Sequence, residues 1–245
     1  MQVYWLEQSE ADVPATNDWL CPGELRHLDT LRFPKRRTEW RLGRWTAKAS
    51  VATFRELAVG IDVLAAIEIR PAPSGAPTVF ISNDAAGVTI SISHRSGRAI
   101  CAIAESGVKL GCDLEVIEPH SQAFIEDYLT YEEQLQVANA SAEDRDRLIT
   151  LFWSAKESAL KAMQVGLRVD TRCISVKMAE PQLVSRWTAL RAQSTAGNSF
   201  HGWWRHADGW LQTLVANPAP DPPIQLHVPD FHQQTTMDSR RASGF

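Results

Sequence analysis

Two stretches decide the reading of this chain: Gly111-Cys112-Asp113-Leu114-Glu115 and Phe152-Trp153-Ser154-Ala155-Lys156-Glu157-Ser158-Ala159-Leu160-Lys161. Around the first, Val108, Leu110, Cys112, Leu114 and Val116 alternate with Gly111, Asp113, Glu115 and Ile117. A period of two predicts a strand, with the apolar set in a core and both carboxylates on an opposite, wet face. Around the second, Leu148, Leu151, Phe152, Ala155, Ala159 and Ala162 recur at helical spacing. Glu157 and Lys161, four apart, stack on one face of that helix. Taken singly, an Asp-x-Glu strand reads as a solvated face and a Glu/Lys pair as ordinary helix-surface pairing. Together, three carboxylates and a lysine on two packed elements suit phosphate chemistry with a hard cation: oxygen ligands for Mg²⁺ and a proton donor beside them.

An internal echo organises the rest. Trp45-Thr46-Ala47-Lys48-Ala49-Ser50 matches Trp153-Ser154-Ala155-Lys156-Glu157-Ser158, and both copies lie on long helical patterns followed by strand-like runs. This predicts an α+β fold of two similar subdomains, each a long helix packed on a small antiparallel sheet. The first runs over residues 1–105. Its helix is predicted from Lys35 to Leu57, opened by Pro34 at a first-turn position. Strands follow at Ala65–Ile69 and Thr78–Ile81, and a hairpin joins Val88–Ser93 to Ala99–Ala104 through Arg95-Ser96-Gly97-Arg98. The second runs over residues 106–225. It holds the Asp-x-Glu strand, a short helix from Tyr131 to Asn139 with Thr130 and Glu133 as its capping box, and the long helix Ala142–Met163. Strands are predicted at Arg172–Met178, Trp203–Arg205 and Trp210–Val215. Residues 226–245, rich in Pro, Gln, Ser and Thr without periodicity, are expected to be a disordered tail.

Composition narrows the class. With 44% hydrophobic and 22% charged residues over 245 positions, the chain has the make-up of a soluble globular protein able to bury one large core or two small ones. A net charge of −4 argues against general nucleic-acid binding. The N-terminus lacks the basic start and apolar run of a signal peptide. The longest nearly apolar segment, Leu57–Ile69, is broken by Asp62 and Glu68 and is too short to span a bilayer. Cys21, Cys101, Cys112 and Cys173 show no Cys-x-x-Cys spacing and read as reduced thiols. A cytoplasmic, monomeric enzyme without membrane or nucleic-acid partners is expected.

Two further patterns concern anions. Arg37, Arg41, Arg44 and Lys48 form one basic stripe on the first long helix, with Lys35 and Arg36 at its start. The residues alone leave a solvated face and a phosphate-binding face both open. Leu42, Trp45, Ala49 and Ala52 read as the buried stripe of that helix. Ser91-Ile92-Ser93-His94 ends a strand at the tip of the hairpin, where a histidine is ordinarily a surface or core residue with a satisfied hydrogen bond.

The pair Gly-x-Asp-x-Glu and Trp-Ser-x-Lys-Glu-Ser-x-x-Lys, in this order, resembles the 4′-phosphopantetheinyl transferase superfamily, specifically its larger members of the type that activates surfactin synthetase. The resemblance covers roughly residues 22–180, and Ser91-Ile92-Ser93-His94 is its third signature. It implies two subdomains related by a pseudo-two-fold, with the active site in the cleft between them. The activity implied is Mg²⁺-dependent transfer of the 4′-phosphopantetheine arm of coenzyme A, the substrate, to a serine of an apo acyl, aryl or peptidyl carrier protein, releasing 3′,5′-ADP. Asp113, Glu115 and Glu157 are the implied metal ligands, and Glu157 and Lys161 the catalytic pair. Arg26, Arg37, Arg44, Gly75, Pro77, Ser93, His94, Lys156 and Lys161 are the implied contacts to coenzyme A. The histidine is expected to bind phosphate best when protonated, and Lys156, beside the metal ligand Glu157, to reach a phosphate oxygen. Two departures bear on the nucleotide contacts. Gly75-Ala76-Pro77 stands where many relatives have Gly-Lys-Pro, and Gln164 replaces the first glycine of the Gly-x-Gly after Lys161.

Two rival functions share these residues. A metal-dependent nuclease also gathers Asp, Glu and Lys around a metal, but such sites usually carry Glu-x-Lys on a strand, whereas this lysine follows its glutamate by four on a helix. A non-catalytic binder of coenzyme A or of carrier proteins has no need of an intact carboxylate set.

Overall fold

The computed structural model describes residues 1–58, 60–166, 169–179 and 186–228. The first half holds β1 (Tyr4–Ser9), α1 (Pro22–Thr30), α2 (Pro34–Phe54), α3 (Ile61–Ala66), β2 (Ile67–Pro71), β3 (Pro77–Ile81), β4 (Asp84–Ala85), β5 (Val88–Arg95) and β6 (Arg98–Glu105). The second holds β7 (Lys109–Val116), α4 (Gln122–Tyr128), α5 (Tyr131–Asn139), α6 (Ala142–Met163), β8 (Ile174–Met178), β9 (Thr188–Ser194), β10 (Ser199–Ala207) and β11 (Trp210–Asn217), followed by β12 (Ile224–Gln225). The fold is α+β. No helix among the described residues is long and apolar enough to cross a membrane.

The strands of the second half form one sheet in the order β7-β11-β10-β9-β8, antiparallel throughout. The first half differs from the single small sheet expected of it. Its strands divide between β12-β1-β6-β5 and a separate β2-β3-β4 sheet. The neighbour order β1-β6-β5, then β3-β2, nevertheless follows the order of the second sheet with one break in it.

Each long helix fills a core. Trp45, Ala49 and Ala52 of α2 are buried with Leu6, Ile90, Cys101 and Ile103 from its sheet, and Leu42 is buried as well. Leu151, Phe152, Ala155 and Ala159 of α6 are buried with Val176, Leu190, Leu211 and Val215. A third core lies between the two halves, where Trp5, Ile100 and Ala102 meet Leu110, Cys112, Leu114 and Leu214. Strands β1 and β6 are therefore covered on both faces.

The chain does not end with the second half. After β11 it returns to the first: β12 pairs in parallel with β1, and Leu226 is buried in the α2 core. Residues 224–228 thus belong to the first half, a correction to the expected boundary and tail. The remainder of that tail, 229–245, lies outside the described residues.

A buried ion-pair network appears twice. Lys48 of α2 is fully buried, paired with Glu24 and donating to the Trp19 and Leu64 carbonyls at 3.0 Å each. Glu24, in the first turn of α1, accepts the Cys21 and Ile69 backbone N–H groups. Lys156 of α6 is fully buried, 2.9 Å from Glu133, and donates to the Thr171 and Ile174 carbonyls. Glu133, in the first turn of α5, accepts the Thr130 and Val176 N–H groups, completing the expected capping box. In each half one lysine and one glutamate tie a long helix, a short helix and a strand together. Burial lowers both lysine pKa values, and the glutamates pull the other way.

Candidate active site

The site forms where β5, β7 and α6 meet. Gly111 permits the approach of α6: a Cβ there would stand 1.8 Å from the Ser158 carbonyl oxygen. Apolar residues of β7 alternate with the carboxylates as expected, but the carboxylate face is roofed by α6 rather than open to water. Asp113 is only 3% exposed. Its Oδ1 accepts hydrogen bonds from Lys161 Nζ and Ser93 Oγ, both at 2.8 Å, while Oδ2 is buried with no partner. Lys161 also donates to the Cys112 carbonyl at 3.0 Å. Burial depresses the Lys161 pKa, but Asp113, Cys112 and Glu157 outweigh it, so the net shift is upward and the side chain stays an ammonium.

The other two carboxylates feel Asp113. Burial, then Asp113, pushes the Glu115 carboxyl up to about 7, with Trp153, Arg95 and Lys161 opposing. Burial and Asp113 raise Glu157 as well, against Lys161. Glu157 Oε1 is buried without a partner. Glu115 is occupied: Oε1 accepts the Trp153 indole N–H at 3.1 Å, and Oε2 lies 3.4 Å from Arg95 Nε. Among the described residues, no three metal-ligating side chains converge on one point in this conformation. The donors still fit a hard divalent cation. Two buried carboxylate oxygens lack partners, a third carboxylate is adjacent, and their mutual repulsion is what such an ion relieves.

Beside these groups a cleft of about 510 Å³ opens between the halves. Lys161, Gln164 and Gly166 line it from the second half, and Gly43, Arg44 and His94 from the first. Gly75 and Pro77 form part of the wall, and Ser74 Oγ lies 3.3 Å from Gln164 Oε1 across it. Arg44 stacks on Trp40, its Nε buried without a partner. A second cavity of about 730 Å³, bordered by Lys35, Arg36 and His27, continues from the first at Glu39, Trp40 and His94. Partial burial and then Lys161 lower the His94 pKa, against Glu39 and Asp113.

The basic stripe dissolves in three dimensions. Arg37 caps the end of α1 through the Leu28 and Leu31 carbonyls, Arg41 holds the carbonyls of residues 14–16, and Lys48 is buried. Only Arg44 of the four lines the cleft; Arg26 is exposed on α1, outside it. Lys156 is a correction. Its ammonium is sealed against Glu133 and two carbonyls, so it is not placed to touch a phosphate. The signal lay in the echo: Lys48 keeps the lysine where Ala49 replaces Glu157, and a lysine retained without the carboxylate points to a structural duty. Ser93 reaches Asp113 rather than the cleft, whereas Ser91, which accepts the Cys112 N–H, lines it. From the sequence Arg95 is only a hairpin residue, and nothing in its spacing marks it.

Through Lys161 the carboxylate group adjoins a cleft that also holds Arg44 and His94, an arrangement that suits a phosphate-bearing ligand held with a divalent cation. Residues 109–206 match the family model of the 4′-phosphopantetheinyl transferase superfamily. The match spans β7, α6 and most of β10; Arg44, Ser93 and His94 lie before it. No curated protein matches the chain.

Proposed function

We propose that this protein transfers the 4′-phosphopantetheine arm of coenzyme A to a carrier-protein serine, releasing 3′,5′-ADP. The observation that carries the reading is the Asp113–Lys161 pair, whose lysine lines the inter-half cleft, with a partnerless buried oxygen on each of Asp113 and Glu157. The two halves are proposed to be pseudo-two-fold copies, the first adapted to hold the nucleotide and the second to act on it. The protein is proposed to work as a cytoplasmic monomer.

Asp113, Glu157 and, once released from Arg95, Glu115 would hold Mg²⁺, which when bound neutralises charge growing on the leaving phosphate. In the reaction the serine oxygen bonds to the phosphorus that bears the pantetheine arm, and the bond from that phosphorus to the bridging oxygen of the pyrophosphate breaks. Glu157 takes the serine proton. An ammonium has three donors, and Lys161 commits two, to Asp113 and Cys112; the third is free for the departing phosphate oxygen. Arg44 and His94, with Lys35 and Arg36 beyond them, supply cationic groups for the nucleotide phosphates. They stand where Ala76 offers no charge. A nuclease reading leaves the inter-half cleft beside Lys161 without a role.

Intact-mass measurement of a panel of apo carrier proteins tests the proposal. One phosphopantetheine arm should be gained with coenzyme A and Mg²⁺, and none with a chelator; no gain across the panel with folded protein contradicts it. Binding and chemistry also separate. His94→Ala should raise KM for coenzyme A by about 10- to 100-fold, the worth of a charge-assisted hydrogen bond, with less effect on kcat. Lys161→Ala should lower kcat while affinity stays closer to normal. Calorimetry beside steady-state kinetics reads both, and the reverse pattern means the two roles are exchanged.

A further inference from the structure

Arg95 is the last residue of the histidine strand β5, with its guanidinium against the end of β7. Nε is 3.4 Å from Glu115 Oε2, and Nη2 donates to Glu118 Oε1. Trp153 holds the other oxygen of Glu115. Of three mutually repelling carboxylates, one is thus engaged by a cation of the protein itself, while Asp113 and Glu157 each keep a buried, partnerless oxygen. The Arg95 side chain is 44% exposed and Glu115 18%, so the contact is weak enough to be exchanged.

We propose that Arg95 is a positioning residue that sets the site's affinity for its divalent cation by competing with it for Glu115. Glu115 would exchange Arg95 for the cation, and Glu118 would keep the released guanidinium. The inference rests on the transferase reading only in taking Asp113, Glu115 and Glu157 as the metal site. It predicts opposite effects from two neighbouring substitutions. Arg95→Gln removes the competitor and should tighten metal binding. Glu118→Gln removes the second anchor, commits Arg95 to Glu115, and should weaken it. Arg95→Lys keeps a charge and should stay near wild type.

The test is a Mn²⁺ titration read by the electron paramagnetic resonance signal of free Mn²⁺, on the full chain with coenzyme A and no carrier. Arg95→Gln is expected to lower the Mn²⁺ dissociation constant by about two- to fivefold, the scale of a half-exposed ion pair. Glu118→Gln should raise it by a similar factor, and that effect should vanish in the Arg95→Gln background. Unchanged or weakened binding in Arg95→Gln, or a change in melting temperature alone, overturns the proposal. Asp113→Asn keeps the underlying reading separate. If wild type and Asp113→Asn bind Mn²⁺ alike, the metal site itself is misplaced and this inference falls with it; if only wild type binds, the Arg95 variants decide.

Discussion

Glu157→Gln is expected to lose turnover by about 10²–10³-fold or more while leaving the metal-free protein as stable as wild type or more so. The two outcomes share one cause. Glu157 has a buried oxygen without a partner, and burial together with Asp113 disfavours its charge. A neutral amide of the same shape relieves that repulsion but cannot serve a cation or take a proton. Asp113→Asn is expected to be equally inactive yet less stable, because Asp113 pairs with Lys161 and accepts from Ser93. Denaturant titration beside single-turnover kinetics separates the two. Near-normal rates for Glu157→Gln remove it from the site. A marked loss of stability shows that its charge supports the fold.

The second large effect concerns Lys156. Removing one partner of a buried pair leaves an uncompensated charge, so Lys156→Met is expected to destabilise the fold by about 3–5 kcal/mol. Glu133 retains the Thr130 and Val176 N–H groups, but its nearest counter-charge is gone. Adding Glu133→Gln should recover part of the loss. The Lys48–Glu24 pair should respond in the same way. A phosphate-binding lysine behaves differently: its loss raises KM for coenzyme A with little change in stability. Urea unfolding midpoints and KM for the folded variant decide between these roles.

Much of this arrangement was legible in the sequence, for identifiable reasons. α5 and α6 begin and end where their caps and apolar spacing place them, and the β5–β6 hairpin follows its turn. β7 alternates because one face meets the inter-half core and the other meets α6. What escaped has equally physical causes. β1 shows no clean period because Trp5 and Leu6 face different cores. α1, α3 and α4 are short and owe their stability to tertiary contacts rather than to periodicity. β9 does alternate, with Arg191 and Gln193 exposed between buried Leu190, Ala192 and Ser194, but two of those three buried residues are Ala and Ser, which mark no apolar face. Within the site, spacing could place Asp113, Glu157 and Lys161 on facing elements. It could not show that Lys161 would pair with Asp113 rather than with Glu157 four residues before it, since that choice depends on how closely Gly111 lets α6 descend. Nor could it tell that three of the four cations of the α2 stripe hold carbonyls or a buried glutamate, a matter of where the preceding loop and α1 lie.

The central claim, that the inter-half cleft delivers coenzyme A to the Asp113–Glu157–Lys161 group for transfer, is tested most directly by measuring both products of one reaction. Apo carrier protein, coenzyme A and Mg²⁺ are incubated with the enzyme, and modified carrier and released 3′,5′-ADP are quantified together. The account predicts one equivalent of nucleotide for each carrier modified, and neither product with Glu157→Gln. Nucleotide released from coenzyme A without carrier modification, or modification undiminished in Glu157→Gln, would contradict it.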